Sequence, residues 1–202
     1  MIMRNFFAAL LLSFASLSAL AGNLETGLDH YQQGRHAEAL ASFRLAAAED
    51  NVKAFFLLGA MHENGEGTKQ DYSEALKWYR KAAERGDTSA QANIGTLFEK
   101  GQGVPKSAAA AADWYRKAAE AGNLSAQVNL GVLYFNGHGV ERDPVEAYKW
   151  LYLADMGGLP VAKEKREFVE AHLKPEQLAE AKQRSAAWIE AWTKRAAGSR
   201  AN

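Results

Sequence analysis

The chain has 202 residues, 24 basic and 24 acidic side chains, and no cysteine. That length suits one domain or one short array, and the even charge gives no bias toward nucleic acid or an acidic surface. The missing cysteines exclude disulfides, thiolate metal sites, cysteine nucleophiles and a lipidated N-terminal cysteine.

Residues 1–21 have the layout of a secretory signal. Arg4 supplies a positive start, Phe6 to Leu17 is an apolar run, and Ala19-Leu20-Ala21 places small residues where a signal peptidase reads them. Cleavage is predicted after Ala21. The run is short of the roughly 20 residues that a membrane span needs, which weighs against an N-terminal anchor. No second long apolar run follows. The expected compartment is the periplasm or outside the cell, with no integral membrane segment after cleavage.

Residues 22–51 read as a short helical hairpin, with Tyr31, Gly34, then Glu38-Ala39-Leu40 and Phe43 to Ala47. Three intervening residues separate Gly34 from Glu38, against eight between Gly65 and Glu74, so this hairpin is expected to lack a five-residue loop extension.

Residues 52–159 repeat with a period of 36. The columns are Ala54, Ala90, Ala126; Gly59, Gly95, Gly131; Gly65, Gly101, Gly137; Gly67, Gly103, Gly139; Trp78, Trp114, Trp150; Ala82, Ala118, Ala154; and Gly86, Gly122, Gly158. Each unit reads as two helices. The first helix runs over about 53–64 in the first unit, with Ala54, Leu58, Met61 and His62 near one face at a 3–4 spacing. Gly65 stops it. The second starts near 72, where Asp71 and Glu74 suggest a capping box. Asp143, Pro144 and Glu146 do the same in the third unit, and Ser107 alone serves the second. Glycine inside a helix costs about 1 kcal/mol against alanine, so Gly59, Gly95 and Gly131 imply close approach of two backbones, with the tryptophans filling the seam to the next unit. A hairpin of this kind cannot bury its own apolar face, and stacking supplies the core.

Residues 160–202 read as degenerate capping helices. One begins at Ala162, lacks the glycine and turns charged through Lys163, Glu164, Lys165, Arg166 and Glu167. Lys174-Pro175 ends it. A last helix over about 175–196 carries Leu178, Ala181, Trp188 and Trp192.

The pattern A54-x-x-x-L58-G59-x-x-H62-x-x-G65-x-G67 followed by D71-x-x-E74-A75-x-x-W78-Y79-x-K81-A82-A83-E84-x-G86 resembles a Sel-1-like repeat, a branch of the tetratricopeptide helical-hairpin superfamily. The loops G101-x-G103-V104 and G137-x-G139-V140 match it better than the first unit, where Thr68 stands in place of valine. The resemblance implies an all-α fold, a right-handed superhelical solenoid of stacked hairpins. It also implies a scaffold for a protein or peptide ligand held in a concave groove lined by the first helix of each unit.

Carried onto this chain, the groove residues are Lys53, Phe56, Ala60, Glu63 and Asn64, then Ser89, Ala92, Asn93, Thr96, Glu99 and Lys100, then Ser125, Val128, Asn129, Val132, Phe135 and Asn136. Asn93 and Asn129 are candidates for bonding an extended peptide backbone. Phe56 and Phe135 are candidate anchors, since aromatics dominate binding hot spots; the alternative for both is packing against a neighbouring hairpin.

Chemistry finds little purchase. The G-x-G pairs lack the preceding strand and following Lys-Ser/Thr of a phosphate loop and read as turns. His30, His36, His62, His138 and His172 form no close ligand pair, and His62 is expected between helices. Some cysteine-rich relatives act on β-lactams, but Ser73 and Lys77 are one residue too far apart for S-x-x-K, and neither S-D-N nor K-T-G occurs. The expectation is a non-catalytic envelope scaffold with no cofactor and no metal; the alternatives are a secreted hydrolase such as a β-lactamase-like enzyme, or a structural subunit of an envelope complex.

Overall fold

A computed structural model describes residues 22–199; the signal segment expected over 1–21 lies outside them. Among the described residues there are ten α-helices and no strand. They are α1 Asn23–Gln32, α2 His36–Ala48, α3 Val52–Asn64, α4 Tyr72–Glu84, α5 Thr88–Lys100, α6 Ala108–Glu120, α7 Leu124–Asn136, α8 Pro144–Met156, α9 Pro160–Glu170 and α10 Pro175–Ser199. The chain divides into two compact units between Asp87 and Thr88. In the first, α1 packs on α2, α2 on α3 and α3 on α4; in the second, α5 packs on α6, α6 on α7, and α7, α9 and α10 all pack on α8. The expected all-α array of helical hairpins is what forms.

The helix ends follow from specific side chains. Asn51 and Asn123, one residue before α3 and α7, accept from the amides of Ala54 and Ala126 at 3.1 and 2.9 Å, each satisfying an otherwise orphaned donor. Asp71 accepts from Ser73 and Glu74, Asp143 from Val145 and Glu146, and Ser107 from Ala110. The reciprocal half of the capping box does not form in the first and third repeats. The amides of Asp71 and Asp143 donate instead to the carbonyls of His62 and Tyr134, as that of Ser107 does to Phe98, at 2.8–3.0 Å. Glu74 is thereby released to pair with Lys77 at 2.7 Å. The same bond at each repeat ties the start of one helix to the end of the other across the loop.

The paired loop glycines do two different jobs. Gly65 and Gly137 end α3 and α7 in the left-handed conformation. Gly67 and Gly139 admit a neighbour: a Cβ there would lie 2.3 Å from the carbonyl oxygen of His36, at the start of α2, and 2.2 Å from the carbonyl carbon of Ala108, at the start of α6. The N-terminal hairpin has only residues 33–35 between its helices, against 65–71 in the next, so its loop is four residues shorter, one fewer than the spacing of Gly34 implied.

Of the repeats' helix-interior glycines, Gly59 and Gly95 accommodate a ring, where the sequence suggested two backbones; Gly131 does meet backbone, a Cβ there lying 3.1 Å from the Ala147 carbonyl oxygen. A Cβ on Gly59 would lie 2.5 Å from the ring of Tyr79, and one on Gly95 2.6 Å from Tyr115. Gly27 stands in the same relation to Phe43, at 2.5 Å. The tryptophans differ among repeats. Trp150 meets Trp188 of α10 edge to face at 5.8 Å, the seam expected of it. Trp78 stacks on Phe55 of its own hairpin at 6.0 Å, with Lys81 over its ring.

The C-terminal helix runs alongside α8 in the same direction. Arg184 bonds Asp143 and approaches Glu146, Trp188 meets Trp150, and Trp192 lies with Leu153 and Gly157. α9 packs on α8 as the first helix of a further hairpin would, and α10 covers another flank of α8, around Trp150 and Leu153.

Candidate functional site

The first helix of each repeat carries the candidate residues, and burial sorts them. In the first unit Lys53 and Asn64 are exposed, while Phe56, Ala60 and Glu63 are half-buried. In the second unit Ser89, Lys100, Ser125 and Asn136 are exposed; Asn93, Thr96, Glu99, Asn129, Val132 and Phe135 are half-buried; Ala92 and Val128 are buried.

Six of the half-buried ones, Phe56, Glu63, Thr96, Glu99, Asn129 and Phe135, have partners inside the fold. Glu63 accepts from the Tyr79 hydroxyl at 2.7 Å, and Glu99 from the Tyr115 hydroxyl at 2.7 Å. Thr96 lies 3.1 Å from the Tyr115 hydroxyl, and the Asn129 side chain hydrogen-bonds it from the next repeat. Burial, before any neighbour, pushes the Tyr115 hydroxyl far above its usual range. Asn129, expected to be available to a peptide backbone, is thus engaged within the protein. Phe56 tilts against Tyr79 at 5.8 Å. Phe135 packs edge-on to Phe168 of α9 and to His172, with Arg142 over its ring. For Phe135 the packing alternative is realised in part, against α9 of the next hairpin, whereas Phe56 packs within its own hairpin.

The tyrosines are what the sequence reading missed as site residues. Their signal was there: Tyr79 and Tyr115 stand exactly one period apart, twenty residues after the interior glycine. The third repeat breaks this column. Leu151 replaces the tyrosine, Phe135 the glutamate and Val132 the threonine. In place of the polar latch there is a cavity of about 410 Å³, lined by Val132, Phe135, Asn136, Leu151, Glu164, Lys165, Phe168 and Val169. Phe168 is 56% exposed at its rim. Val132, Phe135 and Asn136 are therefore the three candidate residues that share an open pocket.

His62 is buried between helices as expected, 6% exposed, and burial holds its pKa below the usual value. Lys77 is engaged with Glu74. Among the described residues no three His, Asp or Glu side chains gather to hold a metal, and no helix is long and apolar enough to cross a membrane.

The Sel1 repeat matches residues 52–87, 88–123 and 124–154. This chain belongs to the Sel1 repeat family. Such repeats typically act in protein interactions, and the fold is typically a non-catalytic scaffold. Two solved structures are similar over much of its length. A Sel1 repeat protein from Oxalobacter formigenes is 33% identical, with a TM-score of 0.67, over 71% of this chain and 59% of its own. The protein c5321, a protective antigen present in uropathogenic Escherichia coli strains and displaying an SLR fold, is 30% identical, with a TM-score of 0.52, over 86% of this chain and 46% of its own. The chain thus spans about half to three-fifths of these relatives. No curated protein matches it.

Proposed function

We propose that this Sel1 repeat protein is an exported, non-catalytic scaffold of the bacterial cell envelope that holds protein or peptide partners on the exposed face of α3 in its first unit and on those of α5 and α7 in its second. The observation that carries this is the division of labour within each of these helices. One set of positions is spent on the core, while Lys53 and Asn64, Lys100, and Asn136 recur at the solvent-facing edge, and in the third repeat the edge opens into an apolar pocket. Rigid helical hairpins pre-order such a surface, so little conformational freedom is lost when a partner docks. The apolar run and small-residue site of residues 1–21 support export.

Two experiments test this. Mass spectrometry of the chain recovered from the envelope of a bacterial host should find its first residue to be Gly22; an intact Met1 in the cytoplasm overturns the location. A pull-down from envelope extract should compare wild type with Lys53→Ala/Asn64→Ala and Lys100→Ala/Asn136→Ala. These side chains are exposed, so folding should be unchanged. Loss of a wild-type partner supports the assignment, and unchanged capture refutes it.

A further inference from the structure

The second and third repeats can be read against each other, position by position. In the second, the Tyr115 ring lies against Gly95, and its hydroxyl meets Thr96, Glu99 and Asn129. Thirty-six residues on stand Leu151, Gly131, Val132, Phe135 and Lys165. Leu151 still lies against Gly131, where a Cβ would approach its side chain to 2.8 Å, but a leucine is shorter than a tyrosine. Leu151, Val132, Phe135 and Lys165 all line the cavity. The cavity is therefore beside the place where the second helix of each preceding repeat puts an aromatic ring, and the second helix of this repeat supplies none.

The lining also says which ring fits. The carboxylate that accepts a phenolic hydrogen in the second repeat has become Phe135, and the threonine Val132. A hydroxyl reaching the place of the Tyr115 hydroxyl would lose that acceptor, because the oxygens left in the lining, on Asn136 and Glu164, are exposed at the rim, and an unpaired buried polar group is unfavourable. At the position of Asn129 stands Lys165, half-buried and without an ion pair among the described residues. Glu164 shares the rim but is exposed, so solvent screens it more than the lysine. The site thus combines a slot for a hydroxyl-free ring with a nearby cation.

Resting on the scaffold reading above, we infer that the pocket between α7, α8 and α9 takes the C-terminal phenylalanine of a partner polypeptide, its ring in the space left by Leu151 and its terminal carboxylate on Lys165. The ring completes an aromatic column that the protein fills for itself elsewhere. The carboxylate gives Lys165 the charged partner it lacks, a bond of the stronger kind.

The test is methyl NMR of the mature chain, labelled at valine and leucine, titrated with N-acetyl-phenylalanine, N-acetyl-phenylalaninamide and N-acetyl-tyrosine. N-acetyl-phenylalanine should shift Val132, Leu151 and Val169 saturably. The amide and the tyrosine should each bind at least about fivefold more weakly. Lys165→Gln, on a partly exposed side chain, should erase the difference between acid and amide. Phe135→Glu/Leu151→Tyr rebuilds the pairing of the second repeat and should abolish binding with the fold intact by circular dichroism; where this variant fails to fold, the Lys165→Gln comparison decides alone. No saturable shift in wild type, equal binding of all three probes, or an acid preference that survives Lys165→Gln overturns the inference. The two levels fail separately. If the probes miss the pocket while Lys100→Ala/Asn136→Ala still loses its envelope partner, the phenylalanine assignment falls and the scaffold stands. If the probes bind as described but no partner is ever captured, the pocket stands and the scaffold falls.

Discussion

The ring of Tyr115 lies where the side chain of residue 95 would otherwise be: a Cβ on Gly95 would come within 2.6 Å of it. This contact explains a glycine in the middle of a helix. Gly95→Ala should gain up to about 1 kcal/mol from helix propensity and lose about 1–3 kcal/mol to overpacking. The expected net result is a chain less stable by about 1–2 kcal/mol, measured by urea unfolding. An unchanged or raised midpoint would show that the ring can move aside freely.

The Tyr115 hydroxyl is held by Glu99, Thr96 and Asn129 within a largely buried setting. Tyr115→Phe removes it and leaves these groups to re-pair or hydrate, at a cost of about 1–2 kcal/mol. A double-mutant cycle with Glu99→Gln should show a coupling of at least about 0.5 kcal/mol. Additive effects would mean that the 2.7 Å contact contributes nothing of its own.

His62 makes the stability of the fold depend on pH. Burial lowers its pKa in the folded chain, while the unfolded chain titrates near pH 6.5. Between that value and the depressed folded one, the unfolded state binds more protons, so stability is full above about pH 6.5 and is lost on acidification. His62→Phe, the residue that Phe98 supplies one repeat on, should flatten the difference in unfolding free energy between pH 7.5 and pH 5. The same slope in the variant would assign the acid sensitivity elsewhere.

The cap is held by apolar packing more than by charge. Arg184 is 41% exposed in its contacts with Asp143, Glu146 and Glu180, so Arg184→Ala should cost no more than about 1 kcal/mol. Trp188, half-buried against Trp150, should cost about 2–3 kcal/mol on change to alanine. Thermal melts of both variants check the order, and a larger loss from Arg184→Ala would reverse the argument.

Most of the fold was legible because it is periodic. Columns 36 residues apart placed α3 to α8 almost to the residue, and Pro175 marked the start of α10. What escaped depends on contacts distant in sequence. Nothing local says that the Asp71 amide bonds His62 and so leaves Glu74 free of the capping box. Gly27 and Phe43 repeat the glycine–ring pairing, but a shorter loop puts them sixteen residues apart where Gly59 and Tyr79 are twenty, so they fall off the common period. In the site, Asn129 was read as a free amide because a hydroxyl from the preceding repeat is invisible along the chain. The cavity at Leu151 could have been noticed as a broken column, yet only the fold shows that Val132, Phe135 and Lys165 surround the same gap.

Site-specific photo-crosslinking reports which helix faces meet a partner. p-Benzoyl-phenylalanine would be placed in turn at Asn64, Lys100 and Asn136, on the proposed binding faces, and at Glu84 and Glu120, exposed ends of α4 and α6. Lys100 and Asn136 should crosslink to the same partner, Asn64 should crosslink to a partner of its own unit's face, and Glu84 and Glu120 should crosslink to none. Equal crosslinking from both sets, or crosslinking from Glu84 and Glu120 alone, would contradict the proposed faces.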